Sequence, residues 1–455
     1  MLGVGFWVLV KTNTLHLTPN TLLSVRRSYF LLMMMKYVST RGESPPLGLS
    51  EAVQTGLAPD GGLYVPERFP VFGVGDFDGL DSLPDIAGKF LAPFFEGDGL
   101  SAHLPDVCRE AFNFDVPLAE LDETTALLEL FHGPTAAFKD VGARFLAACV
   151  SRLPGRRTVL VATSGDTGGA VAAAFAGRAN VEVVILFPKG LVSPRQEKQL
   201  TCRGEGVRAF AVRGDFDDCQ RVVKAAFADP GLRRARGLLS ANSINLGRLL
   251  PQAAYHAAAS LWYLRRRGAR AGFVVPTGNL GNAVAAFWAR AAGLPVREIA
   301  LATNANRAVP DYFDSGAWAA RPTVRTLANA MDVGDPSNVE RLLHLHPDFG
   351  ELKSFARAFA VPDEEIERAI VEEAARSGRV LDPHTAAAAR ARALLATPHW
   401  VVVATAHPAK FESIVEPLVG REVETPPALA ALLGMESACE EIEPSLESLI
   451  EEAFS

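Results

Sequence analysis

From about Thr158 onward, short runs of β-branched and other apolar residues alternate with longer stretches whose apolar positions recur every three or four residues. The first pattern suits buried strands, and the second suits helices that lay one face on a sheet. The expected strands are VLVAT, VEVVILF, VRAFAV, GFVVPT, EIALAT and WVVVAT. Between them GGAVAAAFAGRA, DDCQRVVKAAFAD, PQAAYHAAASLWYLRRR and NAVAAFWARAAG read as helices. This alternation predicts βα units on a parallel sheet. Crossovers in such sheets are right-handed and ligands gather beyond the carboxyl ends of the strands, so the loops after strands are where chemistry is sought.

The remainder of the chain follows other rules. From Met35 to about Glu120, turn signals such as PDGG, VPERFP and EGDG separate short apolar runs, which predicts a smaller leading domain. Residues 363–395 read as charged, Ala-rich helix, and the acidic tail EEIEPSLESLIEEAFS as a surface helix; neither offers evident chemistry. The first 42 residues contain no Asp or Glu and look unlike the rest. An acid-poor organelle transit peptide is one explanation. The preferred one is a start placed too early, with Met33, Met34 or Met35 as the true beginning, because MKYVSTRG opens a sensible domain. The expected organisation is an extension over 1–34 outside the fold, a leading domain over 35–120, the main α/β region over 121–425 and an acidic tail over 426–455.

Composition narrows the function. The chain has 455 residues, 49% of them hydrophobic and 21% charged, which is long enough and apolar enough for a core that needs no staples. A formal net charge of −7 without Lys/Arg blocks argues against nucleic acid as a partner. The five cysteines, Cys108, Cys149, Cys202, Cys219 and Cys439, form no CxxC pair, so neither a metal site nor a disulfide framework is expected, and the setting reads as reducing and cytoplasmic. The most hydrophobic stretch, around Tyr29 to Met35, is short and flanked by Arg26, Arg27 and Lys36, so no membrane partner is expected.

Four loops carry candidate chemistry. In FHGPTAAFKDVGARF, Lys139 follows a Gly-Pro turn at the start of a helical run. Burial among Phe131, Phe138 and Phe145 would lower its pKa and make its amine a nucleophile able to form a Schiff base, whereas a solvated lysine paired with Asp140 is the plain alternative. In VLVATSGDTGGAVAAAF, a strand ends in Ser164, Gly165, Asp166 and Thr167 and passes straight into a helix, which suits either an anion such as a carboxylate or a simple helix cap. In FVVPTGNLGNAVAAF, the loop Gly278, Asn279, Leu280, Gly281 and Asn282 matches neither GxGxxG nor GxxxxGKS/T. It can wrap a compact phosphate with backbone amides or be only a tight turn. In WVVVATAHPAKF, Thr405 and His407 reach the same sheet edge. A hydroxyl there can bond a heterocyclic nitrogen without forcing its protonation, while His407 alone reads as structural.

Taken together, these segments resemble the threonine synthases, fold-type-II pyridoxal 5'-phosphate enzymes. The resemblance runs through SEAVQTGLAPDGGLYVP, ELFHGPTAAFKD, ATSGDTGGAVA, SPRQEKQ, SANSINLGRLLPQ, PTGNLGN, ATNANRAVP, LANAMDVGDPSN and ATAHPAKF, about residues 35 to 420. The leading domain and the last two blocks resemble the longer branch found in many bacteria and in fungi. The resemblance implies an α/β fold of the tryptophan synthase beta type, parallel sheets flanked by helices, with a smaller N-terminal domain. It implies a lyase that converts O-phospho-L-homoserine and water into threonine and phosphate; the sequence leaves monomer and homodimer both open. Lys139 would carry the cofactor, Gly278 to Asn282 its phosphate, and Thr405 would face its pyridine nitrogen. Asp166 would lie near its phenolic oxygen, in a role left open because many relatives have Asn there.

Ser164 and Thr167 would take the substrate carboxylate. In shorter threonine synthases an Asn-Ser-x-Asn-Pro-x-Arg block binds substrate phosphate; here Asn245 and Arg248 match it, but Leu246 replaces the proline. Arg248 is apt because a planar guanidinium can bind phosphate oxygens in pairs. Ser193 and Lys198 are weaker candidates for the same anion. The alternatives are a fold-type-II dehydratase or β-replacement enzyme, whose substrates lack the γ-phosphate, and a non-catalytic relative that keeps only the scaffold.

Overall fold

The computed structural model describes residues 34–454 apart from Ser164 and Arg203. The expected extension therefore falls almost wholly outside the described residues. Met35 belongs to the fold: it is buried, and its amide donates to the Glu96 carbonyl at 3.0 Å.

In chain order the strands are β1 (Tyr37–Ser39), β2 (Tyr64–Pro66), β3 (Leu118–Glu120), β4 (Thr125–Glu129), β5 (Arg157–Ala162), β6 (Val181–Pro188), β7 (Val207–Val212), β8 (Leu238–Ser240), β9 (Ala271–Pro276), β10 (Val296–Thr303), β11 (Ala356–Ala360), β12 (Trp400–Ala404) and β13 (Glu440–Ile442). All six expected strands are present. They divide between a six-stranded sheet, ordered β11-β10-β9-β12-β4-β3, and a five-stranded sheet, ordered β13-β7-β6-β5-β8. Pairing is parallel throughout both sheets except for β3 against β4. Parallel strands covered on both faces need unbroken apolar runs, and every residue of β9 and β12 is buried.

The helix Leu246–Arg267 runs through the middle of the molecule, with most of its length buried. It starts five residues before the expected Pro251, because the Asn245 side chain caps the new end by accepting from the Gly247 amide at 2.9 Å. The leading region packs on this helix. The Trp262 indole donates to the Asp81 carbonyl at 2.9 Å, and Phe95 meets Phe145 edge to face at 6.0 Å. Leading-region residues Tyr37, Phe90 and Phe94 share one core with Phe145, Tyr255 and Val275 of the main region. A second core, with Leu127, Ile366, Ile370 and Val402, backs the six-stranded sheet, and a third, with Val184, Phe210 and Val222, backs the five-stranded one.

Two expectations change. Residues 363–395 form two helices, Asp363–Ser377 and Pro383–Ala393, because Gly378 ends the first in the left-handed region (φ 73°) and Asp382 caps the second. The tail does more than coat the surface. β13 pairs with β7, the helix Leu446–Ala453 follows, and Ile442, Leu449 and Phe454 complete the third core. Arg213 bridges Glu441 and Glu443 across that edge at 3.2 and 2.8 Å. Among the described residues no helix is long and apolar enough to cross a membrane.

Candidate active site

The Lys139 loop is fixed before Lys139 is reached. Asp140 is fully buried and accepts from the Thr135 amide at 2.8 Å and the Thr135 hydroxyl at 2.7 Å, which ties the turn to the first residues of the helix Lys139–Val150. Gly133 admits no side chain, since a Cβ there would lie 2.5 Å from Asp140 Oδ2. Asp140 is thus committed to the loop and does not solvate Lys139. The Lys139 side chain is only 15% exposed, and its Nζ lies 4.0 Å from Asp166 Oδ2. Burial lowers its pKa to about 8, opposed by Asp166 and assisted by Lys410 and Arg248. Of the three expected phenylalanines, Phe138 stands by the ammonium at 5.7 Å, while Phe145 packs on Phe95 and Phe112, and Phe131 on His407.

After β5 the chain turns at Gly165, whose φ of 137° only glycine adopts readily, and the Thr163 hydroxyl accepts from the Gly165 and Gly168 amides at 3.0 and 2.9 Å. Asp166 opens the next helix, buried, with Gln196 Nε2 at 3.0 Å and Lys410 Nζ at 2.8 Å on its Oδ1. Burial alone would push its carboxyl up; the Lys410 and Lys139 ammoniums overcome this and hold it well below the usual carboxylate range. Thr167 is half-buried beside it, and Ser164 lies outside the described residues.

After β9 the loop is neutral. Leu280 takes a left-handed conformation (φ 59°), and a Cβ on Gly278 would meet the Met331 Cα at 2.6 Å. The side chains of the two asparagines are committed. Asn279 Nδ2 donates to Ser243 Oγ at 2.7 Å and its Oδ1 accepts from the Ser337 amide at 2.5 Å. Asn282 Nδ2 donates to the Pro276 carbonyl and its Oδ1 accepts from the Thr277 hydroxyl, both at 2.8 Å. The amides of Gly278, Asn279, Leu280, Gly281 and Asn282, by contrast, donate to no acceptor among the described residues. They sit at the N-terminus of the helix Gly281–Ala291, where a dianion is favoured.

Thr405 follows β12, and its carbonyl accepts from the Phe138 amide at 2.8 Å, which laces the end of this strand to the Lys139 loop. The Thr405 amide donates to the Thr385 hydroxyl at 3.2 Å, leaving its own hydroxyl without a partner among the described residues. His407 caps the turn Pro408–Phe411 through Nδ1, at 3.2 Å from the Ala409 amide, a structural task. Arg248 is buried against Gly142; its Nη1 bonds the Ala241 carbonyl, its Nε has no partner, and no carboxylate forms an ion pair with it among the described residues. Burial lowers it to about 10.

Three expected substrate contacts are occupied otherwise. Asn245 Nδ2 donates both hydrogens, to the Val53 and Ser240 carbonyls at 2.9 and 2.8 Å. Ser193 caps the helix Pro194–Thr201 by accepting from the Gln196 amide at 3.2 Å, and Lys198 Nζ reaches the Met435 carbonyl at 2.5 Å. Sequence reasoning missed Lys410, which is fully buried between Asp166 and the Thr135 carbonyl, and Asp382, His384 and Thr385 in a stretch read as inert helix. The capping pattern Asp-Pro-His-Thr was the available signal for the latter.

The largely buried Lys139 and the buried Arg248 and Lys410, set against the buried Asp140 and Asp166, give three cations and two carboxylates. This surplus of positive charge, the free amides of the glycine loop and the free Thr405 hydroxyl fit a phosphorylated pyridine aldehyde: an amine for the aldehyde, a cradle for the phosphate and a hydroxyl for the ring nitrogen. Residues 116–405 match the family described as pyridoxal-phosphate dependent enzyme, and the chain is such an enzyme, with the fold-type-II architecture. Residues 36–112 match the threonine synthase N terminus and residues 384–452 the threonine synthase C-terminal region. Threonine synthase of Haemophilus influenzae is 41% identical over 84% of this chain and 90% of its own length, and that of Escherichia coli K12 is 38% identical over 87% and 94%. The crystal structure of pyridoxal-phosphate-bound threonine synthase from Brucella melitensis superposes with a TM-score of 0.86 at 36% identity, covering 92% of this chain and 98% of that one. The chain belongs to the threonine synthase family and is a pyridoxal-phosphate-dependent lyase.

Proposed function

We propose that this chain converts O-phospho-L-homoserine and water into threonine and phosphate, with Lys139 as its catalytic residue. The observation that carries this reading is the buried Arg248, which forms an ion pair with no carboxylate among the described residues and lies within electrostatic range of Lys139. Lys139 would hold the cofactor covalently, the amides of Gly278, Asn279, Leu280, Gly281 and Asn282 would hold its phosphate, and the Thr405 hydroxyl would hydrogen-bond its ring nitrogen. Asp166, facing Lys139 Nζ, would lie near the cofactor. When bound, the cofactor takes up the electrons released at the substrate carbons. Ser164 and Thr167 hold the substrate carboxylate, and Arg248 binds the substrate phosphate through its planar fork.

Freed by the incoming substrate amine, Lys139 Nζ would take the proton from the substrate α carbon, pass it to the electron sink that the cofactor would supply, and as a neutral amine again take one from the β carbon. Arg248 receives the phosphate that leaves the γ carbon; Lys139 then gives its proton to the γ carbon and takes one from the water whose hydroxyl adds at the β carbon, and the proton removed first returns to the α carbon. Burial suits Lys139 to both directions of transfer, since a pKa near 8 lets it give and accept protons at neutral to mildly alkaline pH. Asn245 orients Arg248 through the helix start rather than touching substrate, and Ser193 and Lys198 shape the neighbouring helix Pro194–Thr201.

The reading is tested by measuring phosphate release from O-phosphohomoserine with threonine as co-product, against serine and threonine as substrates. Equimolar phosphate and threonine are expected. Turnover of serine or threonine without turnover of the phosphorylated substrate would contradict it.

A further inference from the structure

Lys410 is completely buried, far from Lys139 in sequence, and held in one place by two contacts: 2.8 Å to Asp166 Oδ1 and 2.9 Å to the Thr135 carbonyl. Asp166 presents its other oxygen, Oδ2, to Lys139 Nζ at 4.0 Å. One carboxylate thus stands between two lysines, hydrogen-bonded to Lys410 and only in electrostatic range of Lys139. A buried carboxylate facing Lys139 alone would hold it as an ammonium, a form unable to attack an aldehyde or take a proton. Pairing the carboxylate with a second cation removes most of that pull. Resting on the reading that Lys139 carries the cofactor, we propose that Lys410 is a positioning residue that neutralises Asp166 and thereby keeps the Lys139 nitrogen ready to lose its proton.

The other ionisable groups near the pair are few. Arg248 disfavours charge on Lys139, Asp140 interacts with Lys410 but spends its oxygens on Thr135, and His384, engaged with Asp382, faces Asp166. None of them replaces Lys410, because among the described residues only Lys410 touches the Asp166 carboxylate as a cation at hydrogen-bond distance.

The test uses the holoenzyme and the pH midpoint of its visible absorbance change, which reports protonation of the nitrogen that joins Lys139 to the cofactor. Lys410→Met leaves Asp166 to act on Lys139 alone and raises the midpoint by about 1–3 pH units, the scale of an unpaired opposite charge within contact range. Asp166→Asn leaves the lysine without its carboxylate and lowers the midpoint. The double variant Asp166→Asn/Lys410→Met returns it toward wild type. If Lys410→Met does not fold, Asp166→Asn and the double variant decide the matter: a lowered midpoint in the first and a recovered one in the second support the role. Midpoints that stay at the wild-type value in folded Lys410→Met or Asp166→Asn overturn it. Lys139→Ala separates the footing from the proposal: loss of its cofactor absorbance supports Lys139 as the anchor, and retention of that absorbance overturns both.

Discussion

The loops after β5 and β9 both turn from a parallel strand into a helix with glycines at the bend, yet they are built on opposite electrostatic plans. The first centres on a buried carboxylate, Asp166, fixed by Lys410 and facing Lys139. The second is neutral: Asn279 and Asn282 spend their side chains bracing the loop against Ser243, Ser337, Thr277 and Pro276, which leaves a row of backbone amides free. A dianion is held well by backbone N–H groups, which donate hydrogen bonds and do not titrate. A proton-transferring amine needs the opposite, charges close enough to set its pKa. The same strand-to-helix turn thus serves as a clamp in one place and as a tuning device in the other.

The comparison can be broken at its boundaries. Arg248→Met removes the one buried cation of the cluster that has no carboxylate of its own, and kcat/KM for the phosphorylated substrate should fall roughly 100- to 1000-fold, the scale of about 3–4 kcal/mol of charge-assisted contact. Steady-state kinetics check this, with cofactor affinity expected to stay near wild type. Gly278→Ala strikes the neutral loop instead. A Cβ 2.6 Å from the Met331 Cα forces the loop to shift, so cofactor affinity, measured by titration, should weaken about 10- to 100-fold, the scale of 1–3 kcal/mol of backbone strain. The pH behaviour of Lys139 should not move. Ser193→Ala has the smallest effect: loss of a helix cap, about 1 kcal/mol of stability by denaturant unfolding with KM unchanged.

Much of this was legible along the chain because strand and helix patterns are local. β12 reads as WVVVA because both of its faces are covered, and the glycine loops stand out because tight turns into helices demand them. What escaped depends on partners distant in sequence. Nothing near Lys410 in AHPAKF distinguishes a buried ion-paired lysine from a solvated one; its partners, Asp166 and Thr135, lie in other loops. The motif around Asn245 suggests a substrate ligand, but its hydrogens go to Val53 and Ser240, a packing of the leading region that periodicity cannot reveal. The strand β13 escaped because two of its three residues are exposed glutamates, and only pairing with β7 makes it a strand.

The central claim is that Lys139 is an amine made reactive by burial. It is tested most directly by mixing cofactor-free protein with pyridoxal phosphate across a pH series and following the rate at which visible absorbance appears. The rate should rise with pH through a midpoint near 8, because burial favours the neutral amine, and no absorbance should appear in Lys139→Ala. A midpoint at the ordinary lysine value of 10.5, or equal absorbance in Lys139→Ala, would contradict it.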